Sequence, residues 1–163
     1  MSRKLTVVIP AYNEEKSLKV FFPKVLNHCH DKAYRLIIVN DGSNDKTLDF
    51  LKSFLLEFPE SFKIINHKVN RGYGGALKSG IKESLTDYVI TIDADGQHYL
   101  RDIDNLLSKI VLTNSDLIVG SRKGLASSSK FKCLLCINVN VITSLKDIVF
   151  GVKCRYCLTN FVS

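Results

Sequence analysis

Apolar residues arrive in two rhythms along the chain. Short runs rich in β-branched residues, Leu5 to Pro10, Arg35 to Val39, Phe62 to Asn66, Tyr88 to Asp93 and Ser115 to Val119, read as strands buried in a sheet. Between them, Lys16 to His28 sets Leu18, Phe21, Phe22, Val25 and Leu26 at helical spacing. Lys46 to Phe58 does the same with Leu48, Leu51, Leu55 and Phe58, and Leu100 to Leu112 with Ile103, Leu106, Leu107 and Ile110. Pro10 cannot donate to a ladder and is expected to break the first strand. Strands alternating with such helices predict an α/β fold: a mainly parallel sheet with helices on both faces. The polar residues that follow each strand are then expected to gather along one edge of the sheet.

Those strand ends carry the candidate chemistry. The first leads into Ala11-Tyr12-Asn13-Glu14-Glu15, the second into Asn40-Asp41-Gly42-Ser43-Asn44-Asp45, the fourth into Asp93-Ala94-Asp95-Gly96-Gln97-His98, and the fifth into Gly120-Ser121-Arg122. In open α/β sheets, ligands bind outside the carboxyl ends of strands. Paired carboxylates there are costly unless something positive holds them, and a magnesium site typically uses one or two carboxylates plus substrate phosphates. The plainer reading is structural: Asp95 as an N-cap beside a permissive Gly96, Tyr12 as a packed aromatic and Asn13 as a cap. Taken together, the ends offer acceptors for a base and ribose, a metal platform at Asp93 and Asp95, and a cation, Arg122, for phosphate. A nucleoside-diphosphate ligand fits that inventory.

The glycine-rich stretch Asn70 to Gly80 misses two familiar phosphate-binding fingerprints. Both G-x-G-x-x-G and G-x-x-x-x-G-K-[ST] need a small residue where Leu77 stands. Asp93, about 20 residues on, keeps a dinucleotide reading open. The expected structure is a loop that lets backbone approach a ligand, with Arg71 and Lys78 offering charge to phosphates; the alternative is a turn and helix start.

Composition narrows the class. At 163 residues, 45% hydrophobic and 24% charged, the chain is one globular domain rather than a disordered one. No run approaches the roughly 18 apolar residues of a membrane span. Leu5 to Pro10 is too short for a signal peptide, so a cytoplasmic location is expected. The net charge of +7 collects in the tail, where Arg122, Lys123, Lys130, Lys132, Lys146, Lys153 and Arg155 are set against only Asp147. Such a tail could meet an anionic membrane surface, or its lysines could flank a core helix. No nucleic-acid partner is expected, and the oligomeric state is left open. Cys133-x-x-Cys136 and Cys154-x-x-Cys157 have the spacing of a four-cysteine zinc site, although Ile137 to Lys153 between them is helix-like. Disulfides are not expected without a secretion signal. Residues 123–132 read as a polar loop or lid, Cys133 to Phe150 as an amphipathic or buried helix, and 151–163 as ambiguous.

Five of these motifs occur together in a known order. Val8-Ile-Pro10-Ala-Tyr12-Asn-Glu14-Glu, Val39-Asn-Asp41-Gly-Ser43, Asn70-Arg-Gly-Tyr-Gly-Gly-Ala, Asp93-Ala-Asp95-Gly-Gln97-His98 and Gly120-Ser-Arg122 resemble the family 2 glycosyltransferases over about residues 4–122, in particular the dolichol-phosphate mannose synthase-like branch. The resemblance implies a Rossmann-like GT-A fold. It also implies an inverting, Mg²⁺- or Mn²⁺-dependent transfer from a GDP-, UDP- or dTDP-linked sugar to a polyprenyl-phosphate or glycan, as in cell-wall or polysaccharide biosynthesis, at the cytoplasmic face of a membrane where the acceptor is a lipid. Pro10, Tyr12, Glu14, Val39 and Asp41 would then surround base and ribose. Asp93, Ala94 and Asp95 would line the nucleotide, Asp95 and Gln97 would ligate the metal, and Arg122 would face the phosphates. Asp93, Asp95 and Arg122 form the implied catalytic set. Residues 1–122 would be the nucleotide-sugar-binding core and 123–163 an acceptor-side segment of the same domain. Phe150 to Phe161 matches the family only loosely and lacks its aspartate, so a truncated copy that binds without transferring is the alternative.

Overall fold

The computed structural model describes residues 5–120 and 134–138. Its elements are β1 (Leu5–Ala11), α1 (Glu15–Asp31), β2 (Arg35–Asp41), α2 (Thr47–Glu57), β3 (Lys63–His67), α3 (Gly72–Lys82), β4 (Tyr88–Thr91), α4 (Arg101–Thr113), β5 (Leu117–Gly120) and β6 (Leu134–Asn138). They form one sheet in the order β3-β2-β1-β4-β6-β5. The pairs β3–β2, β2–β1 and β1–β4 are parallel, while β6 runs antiparallel to β4 and to β5.

Side chains alternate across a strand, so each strand feeds two cores. Leu5, Val7, Ile9 and Ala11 of β1 join the cluster that also holds Phe22, Leu51 and Ile103, from α1, α2 and α4. Val8 points the other way and packs with Val39, Val89 and the α3 residues Ala76 and Ile81. Helices therefore cover both faces, three on one side and α3 on the other. The buried face of α1 is the expected one extended by Cys29, and the helix continues through Pro23. Burial, and secondarily the charge of Asp104, pushes the Cys29 thiol up to about 12.

Four expectations are corrected. The strand at Leu5 does not break at Pro10 but runs to Ala11, with Pro10 in register with Val39. Amides two residues apart on a strand point to the same side. Val8 faces β4, taking the Ile92 amide on its carbonyl at 3.1 Å, so the N–H that Pro10 lacks would also face β4, where pairing has already stopped at Val8 and Thr91. Along α2, Leu51 is buried as expected, but Phe58 is 43% exposed at the C-cap. Phe50 and Phe54 take the packed positions instead, meeting Phe22 edge-on at 6.2 and 5.4 Å. The helix expected from Cys133 gives way to strand β6 at Leu134–Asn138. A short apolar run does not distinguish strand from helix, and this one fills the gap between β4 and β5. The rest of that expected helix, residues 123–132 and 151–163, Arg122, Cys133, Cys154 and Cys157 lie outside the described residues.

The fourth correction concerns the glycine-rich stretch, which is a helix from Gly72 rather than a loop. Its closing glycine serves helix-on-sheet packing: a Cβ at Gly80 would stand 2.3 Å from Val8 Cγ1 and 3.2 Å from Val39 Cγ2. Two opposed effects can be weighed here. Alanine gains about 1 kcal/mol of helix propensity over glycine, whereas overpacking a tight core costs about 1–3 kcal/mol or more. A 2.3 Å contact against a β-branched residue on a central strand lies at the severe end. Gly80→Ala is therefore expected to be destabilising by about 1–2 kcal/mol net, read as a lower urea midpoint with unchanged m-value; an unchanged or higher midpoint would show that α3 rides further from the sheet.

Candidate functional site

The sheet order reverses at β1. The chain moves outward through β2 to β3, then returns by α3 across the opposite face to β4 on the far side of β1. Beyond Val8 and Thr91 the two central strands part. Such a switch point is where open α/β sheets hold ligands. A cleft of about 390 Å³ opens there, within the range of small-molecule sites. Pro10, Ala11, Tyr12 and Glu14 bound it from the end of β1, and Asp93, Ala94 and Asp95 from the end of β4. Asp41 and Asn70 lie between, with Gly72, Tyr73 and Ala76 of α3 along the third side.

The loops that carry these residues hold one another. The Asn13 amide donates to Ser43 Oγ at 3.0 Å, and the Asn44 amide donates to Asn13 Oδ1 at 2.8 Å. Asn13, at φ 55°, thus ties two strand ends together rather than capping its own helix. The amides of Glu14 and Glu15, at the start of α1, donate to Thr47 Oγ1 at 2.9 Å and Asp45 Oδ2 at 3.2 Å. The first turn of one helix is thereby capped from the first turn of another. At Asp45 burial acts to raise the carboxyl, but the hydrogen bonds from Thr47 and from the Thr47 and Glu15 amides outweigh it and hold the group below its usual value.

Asp41 is buried, and its Oδ1 accepts two bonds, from His67 Nδ1 at 2.6 Å and from the Arg71 amide at 2.9 Å. His67 stands opposite Asp41 in the β2–β3 register, and its Nε2 meets Ser79 Oγ at 2.9 Å. Gly42, at φ 69°, leaves room for this: a Cβ there would lie 2.6 Å from the Asn70 amide nitrogen. Across the cleft, Tyr73 Oη donates to Asp93 Oδ1 at 2.9 Å, and the buried His98 places Nε2 3.6 Å from Asp93 Oδ2. Asp95 Oδ1 accepts the Gln97 amide at 3.1 Å, closing a turn at Gly96. Because α4 begins only at Arg101, Asp95 is not its N-cap.

Seven sequence-predicted residues therefore meet at one cleft: Pro10, Tyr12, Glu14, Asp41, Asp93, Ala94 and Asp95. Val39 does not line it, being fully buried in the core on the α3 side. Arg71, Lys78 and Gln97 are exposed and also stand outside the lining, and Arg122 lies outside the described residues. Asn70, Tyr73, Ala76 and His98 lie in the sequence motifs quoted above but carried no assigned role, and His67 was not named among them. His67 was within reach, since it directly follows a strand running parallel to the one that ends in Asp41. Among the described residues no group of three or more His, Cys, Asp or Glu side chains is set to enclose a metal. The lining carboxylates, with no basic side chain beside them among the described lining residues, do fit a hard cation whose remaining ligands come from phosphate oxygens.

Comparison with known proteins identifies the family and the fold. The family model for Glycosyl transferase family 2 matches residues 6–132. A dolichyl-phosphate beta-glucosyltransferase of Trichomonas vaginalis is 32% identical over 166 residues, covering 94% of this chain and 51% of that protein. A UDP-N-acetylglucosamine–dolichyl-phosphate N-acetylglucosaminyltransferase of Methanococcus voltae is 35% identical over 130 residues, covering 71% of this chain and 51% of that one. The chain thus spans about half the length of the curated relatives it matches. Among solved structures, S. aureus TarS in complex with UDP-GlcNAc superposes with a TM-score of 0.62 at 20% identity, covering 77% of this chain and 36% of that one. The mannosyltransferase of Pyrobaculum calidifontis in complex with GDP-Man and Mn²⁺ gives 0.58 at 18% identity, covering 72% and 35%. Those likenesses establish the GT-A fold.

The interlocked loops make a first prediction about the site. Thr47→Val keeps shape but removes the acceptor of the Glu14 amide, at a cost of about 1–3 kcal/mol for an orphaned donor. Denaturation should show that loss, and faster hydrogen exchange should appear at Glu14; an unperturbed Glu14 amide would mean the two loops stand independently.

Proposed function

The chain belongs to glycosyl transferase family 2, and from that premise we propose that its cleft binds the nucleoside diphosphate of a sugar donor for inverting transfer to an acceptor oxygen. One observation carries the reading: carboxylates that follow strands far apart in sequence, Glu14, Asp41, Asp93 and Asp95, converge on a single cleft at the switch point. The matched relatives named for dolichyl-phosphate and undecaprenyl-phosphate transfer support a polyprenyl phosphate as acceptor. The neighbours with UDP-GlcNAc and with GDP-Man and Mn²⁺ support a nucleotide sugar and a divalent cation.

In this reading Pro10, Tyr12, Glu14 and Asp41 hold base and ribose, and Asp93, Ala94 and Asp95 border the diphosphate. Asp95, with Asp93 beside it, would hold Mg²⁺ or Mn²⁺; Gln97 would join through its exposed side chain. The cation when bound supplies electrostatic stabilisation of the charge that develops on the leaving diphosphate. Tyr73 and His98 orient the Asp93 carboxylate. The acceptor oxygen forms the new bond to the anomeric carbon from the face opposite the departing diphosphate, which leaves with the electron pair of the broken C–O bond. A lipid-phosphate oxygen is already an anion and needs no general base. Such an acceptor places the reaction at a membrane surface. No helix among the described residues is long and apolar enough to cross a membrane. Arg122 is assigned to the phosphates and the basic residues after it to the lipid side.

Calorimetric titration with UDP, GDP and dTDP sugars, with and without Mn²⁺, tests the reading. One nucleotide class should bind at least about tenfold more tightly with the cation, a difference of about 1.4 kcal/mol. Asp95→Ala should erase that difference while leaving the melting curve intact, and a variant whose Mn²⁺-dependent affinity is undiminished would overturn the metal assignment. Arg122→Ala is expected to weaken UDP or GDP more than the corresponding nucleoside; equal losses would make it a structural arginine.

A further inference from the structure

Asp41 is the most deeply committed carboxylate at the cleft. It is 3% exposed, and a buried carboxylate is costly unless donors satisfy it. Both protein donors, His67 Nδ1 and the Arg71 amide, bind the same oxygen, Oδ1. Among the described residues no donor is bonded to Oδ2. One oxygen is thus fixed from behind, and the group still lines the cleft.

The proton arrangement behind it follows from the donor inventory. An ionised carboxylate only accepts, so the His67–Asp41 bond requires the proton on Nδ1, whatever the charge of the ring. A neutral ring then has a bare Nε2, which accepts from the Ser79 hydroxyl at 2.9 Å. Asp41 therefore selects the tautomer, and Ser79 holds the ring by satisfying the nitrogen left bare. The order Ser79, His67, Asp41 also occurs in nucleophilic hydrolases, but neither Ser79 nor His67 lines the cleft, so no substrate carbonyl can meet the hydroxyl there.

We infer that His67 is a positioning residue for recognition of the donor nucleotide: with its ring fixed by Ser79, it locks the Asp41 carboxylate so that its free oxygen accepts an N–H or O–H from the nucleoside. The inference rests on the nucleotide reading of the cleft. Three elements contribute, since Asp41 ends β2, His67 ends β3 and Ser79 lies on α3. Without the imidazole, the carboxylate has only the Arg71 amide among the described residues to hold it, and can turn.

Titrating wild type, His67→Phe, His67→Asn and Ser79→Ala with UDP, GDP, uridine, guanosine and pyrophosphate, all with Mn²⁺, tests the role. His67→Phe keeps a buried ring without the donor. It should weaken the preferred diphosphate and its nucleoside by about tenfold or more, the worth of a hydrogen bond to a charged group, and leave pyrophosphate unchanged. His67→Asn, whose amide N–H can replace Nδ1–H, should recover most of the loss, and Ser79→Ala should lose a smaller part. A folded His67→Phe that binds the nucleoside as wild type does, or that loses pyrophosphate equally, overturns the role. Should His67→Phe not fold, unchanged nucleoside affinity in Ser79→Ala overturns it. So does a proton–nitrogen correlation spectrum of wild type that shows Nδ1 without its proton. Wild type that binds no nucleotide overturns the nucleotide reading and the role together, whereas nucleotide binding indifferent to His67 overturns the role alone.

Discussion

The cleft exists because the ladder between β1 and β4 stops at Val8 and Thr91 while both chains continue. Parallel strands that stay paired leave no space between their ends, whereas strands that part must satisfy their amides some other way. Here the loop after β1 does so against the loop after β2, through Asn13, Ser43, Asp45 and Thr47. Pro10 belongs to the same constraint, since a residue without an N–H costs nothing on the side where pairing has ended. Helix α3 completes the wall only because Gly80 lets it settle onto Val8 and Val39. Backbone register, more than side-chain size, therefore sets where the site lies.

Charge decides what can enter. In dinucleotide and P-loop sites a glycine-rich turn leaves the first amides of a helix free to bind phosphate. At α3 two amides at the helix entry are already taken: Arg71 donates to Asp41 at 2.9 Å and Gly72 to Asn70 at 2.7 Å. Gly72, at φ 77°, serves the tight entry and Gly80 the packing of the helix. Among the described residues the charged groups lining the cleft are all carboxylates, so an anionic ligand needs a cation or a basic group from elsewhere to meet them.

The strand and helix rhythm was legible because nearly every element buries a face with its own period. Ile103, Leu106 and Ile110 needed nothing beyond spacing. The failures share a cause, that the deciding contact is remote in sequence. Phe50 and Phe54 displace Leu48 and Phe58 from the packed face of α2 because Phe22 receives their rings. The segment at Leu134 is a strand because two other strands leave room for one. At the site, strand-end carboxylates were legible from position alone, whereas His67 and Tyr73 are defined by partners 26 and 20 residues away, Asp41 and Asp93. Val39 shows the converse error: it shares the α3 face of β2 with Asp41, but two residues short of the strand end it lies in the core, while Asp41 at the end reaches the cleft.

The same carboxylates separate into two kinds of work. Asp41 is held by protein donors on one oxygen and needs no ion to justify its burial. Asp93 and Asp95 stand at the mouth of a cleft where the described residues offer no closed cage for a cation. A cation bound by so few protein ligands keeps its other positions for water or phosphate. If the ligand supplies those phosphates, each binds more tightly in the presence of the other, and by linkage the coupling is equal in both directions. In the proposed reading, an incomplete metal site would thus be a means of selection: it would favour ligands that carry a diphosphate over nucleosides alone.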